Sequence, residues 1–100
     1  MPDPSANDLT LIREVTATRE EFRHGLRQAF PHGVTEQAGR IRVADGATLL
    51  EIELTPQAPR LVASLRLPVL RVALHFSAGS PREQRNLLAR LDRAMQRGGG

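Results

Sequence analysis

The chain has 100 residues, 40% of them hydrophobic, and a formal net charge of +3. That is enough for one small domain with a single core and too little for two. It has no cysteine, which excludes disulfides, a thiolate metal site and a cysteine nucleophile.

All 14 basic residues are arginine. A guanidinium fork suits phosphate and carboxylate, but a GC-rich bacterial genome enriches arginine as well, and a balance this small is not an electrostatic footprint. Met1 to Asp8 contains no apolar leader core, and no apolar run is long enough to span a bilayer. The expectation is a cytoplasmic protein with a disordered 1–8 segment, one α+β domain over 9–97 and a flexible 98–100 tail.

In chain order, Leu9 to Val15 can form a short N-terminal edge strand. Thr18 and Glu21 then have the spacing of a capping box, which predicts a helix start. Phe22, Leu26, Ala29 and Phe30 line one side of that helix, and Pro31, His32 and Gly33 end it. Asp45-Gly46 lies between two alternating runs, Arg40 to Ala44 and Ala47 to Leu54, and predicts a hairpin. With Asp45-Gly46 as its loop, Arg40 would face Glu51 and Ile41 would face Leu50. Thr55 to Pro59 reads as a loop, and the long run Arg60 to Phe76 should break at Pro68. Ser80-Pro81-Arg82-Glu83 opens the last helix with a second capping box and proline at its first position.

These elements predict a two-layer α+β sandwich, in which a four-stranded antiparallel meander, with a fifth N-terminal edge strand as an option, is covered on one face by an N-terminal and a C-terminal helix (α-β-β-β-β-α). The expected core comprises Phe22, Leu26, Phe30, Ile41, Leu50, Ile52, Leu54, Leu61, Leu65, Leu70, Val72, Leu74, Phe76, Leu88, Leu91 and Met95.

Chemistry-bearing patterns are sparse. Glu21 and His24 have the Glu-x-x-His spacing of dimetal bundles, but the motif occurs once and those bundles need it twice. Ser77 to Pro81 lacks a nucleophile elbow. The amino end of the last helix, Gly79 to Arg82, could hold an anion as most helix starts can. No catalytic, metal or cofactor-binding residue is assigned, and the reading leans away from an enzyme.

Two surfaces are candidates for interaction. Arg82, Arg85, Arg90, Arg93 and Arg97 cluster on the polar side of the last helix and could neutralise nucleic-acid phosphates or another polyanion. Arg40, Arg42, Glu51, Glu53, Arg66 and Arg71 are expected on the open face of the sheet. The favoured reading is a non-enzymatic protein-binding or accessory module, monomeric or homodimeric, with the polyanion binder second. A third reading comes from Arg97-Gly98-Gly99-Gly100, whose ending resembles that of ubiquitin-like sulfur carriers over the last few residues. The resemblance implies a carrier acting through its terminal Gly-Gly carboxylate. Those carriers have a β-grasp fold with strands flanking a central helix, unlike the pattern predicted here.

Overall fold

The computed structural model describes residues 10–99, with side chains described through Met95. The elements are β1 (Thr10–Val15), α1 (Arg19–Ala29), β2 (Val34–Gln37), β3 (Arg40–Asp45), β4 (Thr48–Val62), β5 (Leu65–Ala78) and α2 (Pro81–Gly99). They form an α+β fold with one open, five-stranded antiparallel sheet in the order β1-β5-β4-β3-β2. The meander is therefore four-stranded, as expected, and the optional N-terminal strand is present beside β5.

Both helix starts follow the local chemistry of their sequences. Thr18 Oγ1 accepts from the Glu21 amide at 3.1 Å, while Glu21 Oε1 accepts from the Thr18 amide at 2.8 Å. Ser80 and Glu83 repeat this exchange at the start of α2, at 3.2 and 2.8 Å. Each box satisfies amides that a helix start otherwise leaves open.

Three features of the meander differ from expectation. First, β2 was not predicted, since Val34-Thr35-Glu36-Gln37 offers one apolar residue; it is a short edge strand joined to β3 through Ala38 and Gly39, both at positive φ (55° and 79°). Second, the β3–β4 loop is Gly46-Ala47 rather than Asp45-Gly46: Asp45 pairs with Thr48 and Arg42 with Glu51. Gly46 takes φ +60° at the first loop position, the placement glycine serves in a Gly-first hairpin turn. The register thus moves by two residues, so every side chain keeps its expected face although Arg40 no longer stands opposite Glu51.

Third, Thr55 to Pro59 is strand rather than loop, and Pro68 lies inside β5 rather than at a turn. The reversal falls instead at Ala63 and Ser64, with Ala63 at φ 54°. Gln57 pairs with Val69 and Arg60 with Leu67, leaving Ala58 and Pro59 opposite Pro68 alone. A β-bulge of this kind accommodates prolines where the ladder needs no donor.

The alternation divides the sheet cleanly. Leu50, Ile52, Leu70, Val72, Leu74 and Phe76 face the helices with Ile41 and Val43, and all are buried. Phe22, Leu26 and Phe30 from α1 and Leu87 and Leu91 from α2 complete this core, with Leu54, Leu88 and Met95 partly buried against it. Leu61 and Leu65, expected in the core, are instead 73% and 60% exposed. Leu61 faces the helix side opposite Arg66, and the helix layer ends before it; Leu65 pairs with Val62 and, five residues from Leu70 along β5, lies on the open face. The molecule is 50 Å long and 32 by 26 Å across.

Among the described residues, no helix is long and apolar enough to cross a membrane.

Candidate functional site

The sequence-predicted arginines divide by what they touch. On the open sheet face, Arg42 pairs with Glu51 at 3.0 Å, and Arg40 reaches Glu53 at 3.1 Å and Glu51 at 3.8 Å. This is cross-strand neutralisation between neighbours that the register sets side by side, and each exposed pair contributes about 0 to 1 kcal/mol. With Thr10, Ala73 and His75 the cluster frames a shallow cleft, where Thr10 Oγ1 lies 3.2 Å from His75 Nδ1. Arg71 shares this face farther along β5, since it pairs with Glu14 and Thr55. Arg66 does not: it pairs with Leu61 on the helix-facing side of the hairpin, so the structure brings four of the six residues together.

The arginine stripe of α2 is also divided. Arg90 is a clamp. Its Nη2 donates to the Ala29 carbonyl at 2.8 Å, its Nη1 bonds Asp45 at 2.9 Å, and its guanidinium stacks 4.4 Å from the centre of the Phe30 ring. One side chain therefore ties α2 to the end of α1 and to the β3–β4 turn. Arg82, Arg85 and Arg93 are exposed and make no ion pair among the described residues. The side chain of Arg97, and the Gly-Gly carboxylate of the carrier reading, lie outside the described residues.

Replacing Arg90 with alanine should lower stability by about 1–2 kcal/mol, combining a partly exposed charged hydrogen bond with a cation–π contact. Arg90→Lys should recover less than half of that loss, because lysine lacks the planar fork that bonds and stacks at once. Urea unfolding midpoints of the two variants measure both values.

Charged residues at the two edges of the helix-facing side complete the frame. Glu36 of β2 accepts from Arg27 of α1 at 2.6 Å and forms an ion pair with Arg23 at 3.2 Å, while Arg13 of β1 reaches Asp92 of α2 at 3.3 Å. Edge positions are half wet, so a charge there can latch a helix without being buried.

The histidines do not assemble a site. His24 and His32 are exposed, and among the described residues no group of three or more His, Asp or Glu side chains converges as metal ligands would. At the amino end of α2 the Ser80 and Glu83 amides are taken by the capping box, and Gln84 Nε2 bonds the Gly79 carbonyl at 3.0 Å. Between α1 and α2 runs an open groove of about 480 Å³ with Gly25, Ala29 and Ala94 along it and Glu21, His24, Gln28, Arg90 and Arg93 around it. Glu21 and Arg90 are already committed to the cap and the clamp.

What the residue pattern did not single out is the distal half of the β4–β5 hairpin. Among the described residues, no strand pairs with β5 on the β1 side between Leu70 and the Ala63-Ser64 reversal, and the pairing of β3 with β4 ends at Ile52. A two-stranded arm projects from the sheet and carries Leu61, Val62 and Leu65, which are 73%, 47% and 60% exposed. Near its base Arg60 of β4 and Glu14 of β1 meet at 2.6 Å across β5. Val69, on that same face, is only 7% exposed.

No family model matches the chain, and no curated protein matches it at a significant level.

Proposed function

We propose that the chain is a non-enzymatic, cytoplasmic protein-binding module and that its binding element is the β4–β5 arm. The observation that carries this reading is the exposure of Leu61, Val62 and Leu65 together at the end of a hairpin that the helix layer does not cover. Isolated two-stranded hairpins are marginal in water, and clustered apolar side chains with open strand edges favour association. Of the α2 arginines that the polyanion reading uses, Arg90 is already committed to Ala29, Asp45 and Phe30, which weakens that reading.

Affinity capture from nuclease-treated extract of the native host tests the proposal. Captured proteins should be lost with Leu61→Asp/Leu65→Asp and retained with Arg82→Glu/Arg85→Glu. The same set captured by the arm variant would overturn the reading, and dependence on Arg82 and Arg85 instead would favour the basic surface of α2.

A further inference from the structure

We infer that the chain forms a homodimer through the outer edge of β1, where Thr10 to Val15 pairs antiparallel with the same strand of a second copy about a two-fold axis at Ile12. The contact lies apart from the arm and does not depend on the arm's role.

Which edges can accept a strand follows from where their backbone groups turn. The reversal at Ala63-Ser64 makes Val62 and Leu65 a bonded pair, so β5 turns Leu65, Leu67, Val69, Arg71 and Ala73 toward β4. Leu70, Val72 and Leu74 are left turned toward β1, where they meet Val15, Arg13 and Leu11. The N–H and C=O groups of Thr10, Ile12 and Glu14 therefore point away from the sheet, and no strand lies beside them among the described residues. All three have an amide donor.

The other edges are poorer templates. Past Val15, β5 turns outward only Arg66 and Pro68, and proline has no amide. The β4 edge past Ile52 holds Pro56 and Pro59, and β2 turns outward only Val34 and Glu36. β1 has neither proline nor a register shift, and its charges are met within the copy, Arg13 by Asp92 at 3.3 Å and Glu14 by Arg60 at 2.6 Å. Proline, a bulge or an unpaired charge usually guards a bare edge, and this one has none of them.

The strand is also complementary to itself in one register. Centring on Ile12 sets Thr10 opposite Glu14 of the second copy, Ile12 opposite its own counterpart and Glu14 opposite Thr10, and each pair exchanges both backbone bonds. Centring on Leu11 leaves Glu14 without a partner in the strand. Centring on Arg13 does the same to Thr10 and sets Arg13 against itself, a direct like-charge pair.

Side chains agree with that register on both faces. Ile12 is 48% exposed on the open face, and in the dimer it packs between Ala73 of its own copy and Ile12 of the other. Beside it, Arg71 and Glu14 of one copy continue into Thr10, His75 and Glu51 of the other, so charges alternate across the junction. On the helix-facing side Leu11 meets Arg13 of the second copy, whose guanidinium is held by its own Asp92 while its alkyl stem covers Leu11. The joined sheet carries the two arms at opposite ends, because antiparallel pairing reverses one copy relative to the other.

The absence of cysteine lets single thiols map the contact. Facing residues of a bonded pair stand about 5.5 Å apart at Cα, whereas Thr10 of one copy and Thr10 of the other are offset by about 14 Å along the strand. A short bismaleimide should therefore link a mixture of Thr10→Cys and Glu14→Cys chains at least tenfold faster than it links either variant alone. The unmodified chain should sediment as a dimer in equilibrium with monomer at micromolar concentration. Ile12→Lys, which opposes two ammonium groups at the axis, should raise the dissociation constant at least tenfold. Its site is on the open face, so the circular dichroism melt at dilute concentration should match that of the unmodified chain. Leu61→Asp/Leu65→Asp should dimerise as the unmodified chain does.

A chain that stays monomeric to about 100 µM would overturn the inference, as would a dimer that Ile12→Lys leaves equally tight or that the arm variant dissolves. A dimer with no preference for the mixed thiol pair would overturn the register. Capture of partners through Leu61 and Leu65 stands or falls separately from all of these results.

Discussion

Gly33→Ala should destabilise the fold by about 2–4 kcal/mol, a fall of roughly 10–20 °C in melting temperature for a domain of this size. A Cβ on Gly33 would stand 2.2 Å from the Ala44 carbonyl oxygen, and that atom is backbone in a paired strand. Moving it away weakens the 2.9 Å bond from the Ala44 amide to the Gly33 carbonyl, which docks the α1–β2 connection on β3. It also shifts the β3–β4 turn that Asp45 offers to Arg90. Gly46→Ala makes a useful contrast. Nothing lies within 4 Å of the added carbon there, so only the left-handed φ of +60° opposes it, at about 1–2 kcal/mol. Thermal unfolding followed by circular dichroism separates the two, and a Gly33→Ala loss no larger than that of Gly46→Ala would show that the backbone yields cheaply.

The legible parts of this fold are those in which a few neighbouring residues determine the outcome. Thr18 with Glu21 and Ser80 with Glu83 satisfy their own helix starts, so both boundaries can be read without knowing what the helices cover. Strand faces are equally local, because a two-residue slip at Gly46-Ala47 preserves the inward and outward sets. Proline chemistry in β4 and β5 was harder to read. Pro56, Pro59 and Pro68 each disfavour a paired strand, yet the bulge sets Ala58 and Pro59 against Pro68, and the arm's outer edges have no ladder to break.

The candidate site was less legible than the fold for a related reason. Arg90 has the helical position of a solvated residue, and only the packing of Phe30 and the Ala29 carbonyl beside it makes it a clamp. Leu61 and Leu65 alternate as core residues do. Leu61 is exposed because two helices from distant parts of the chain stop short of it, and Leu65 because the reversal falls at Ala63-Ser64 rather than at Pro68 and turns it to the open face; no local pattern carries either.

Leu74→Ala should cost about 2–5 kcal/mol, while Leu65→Ala should cost less than about 1 kcal/mol, although both leucines lie in β5. Leu74 is completely buried, in a row where Leu11 and Ile52 flank it under the helices, so truncation loses transfer energy and leaves a cavity. Leu65 is 60% exposed and its truncation leaves no enclosed space. Against a total stability of roughly 5–15 kcal/mol, the first change puts folding at risk and the second leaves it nearly intact. Urea unfolding at dilute, monomeric concentration measures the difference, with an unchanged slope showing that the unfolding transition remains comparable. Equal losses at the two sites would mean that the arm belongs to the monomer's core, and the binding role proposed for it would fall. The expected disparity locates the apolar surface that the monomer does not need for its own folding, which is what a surface retained for association requires.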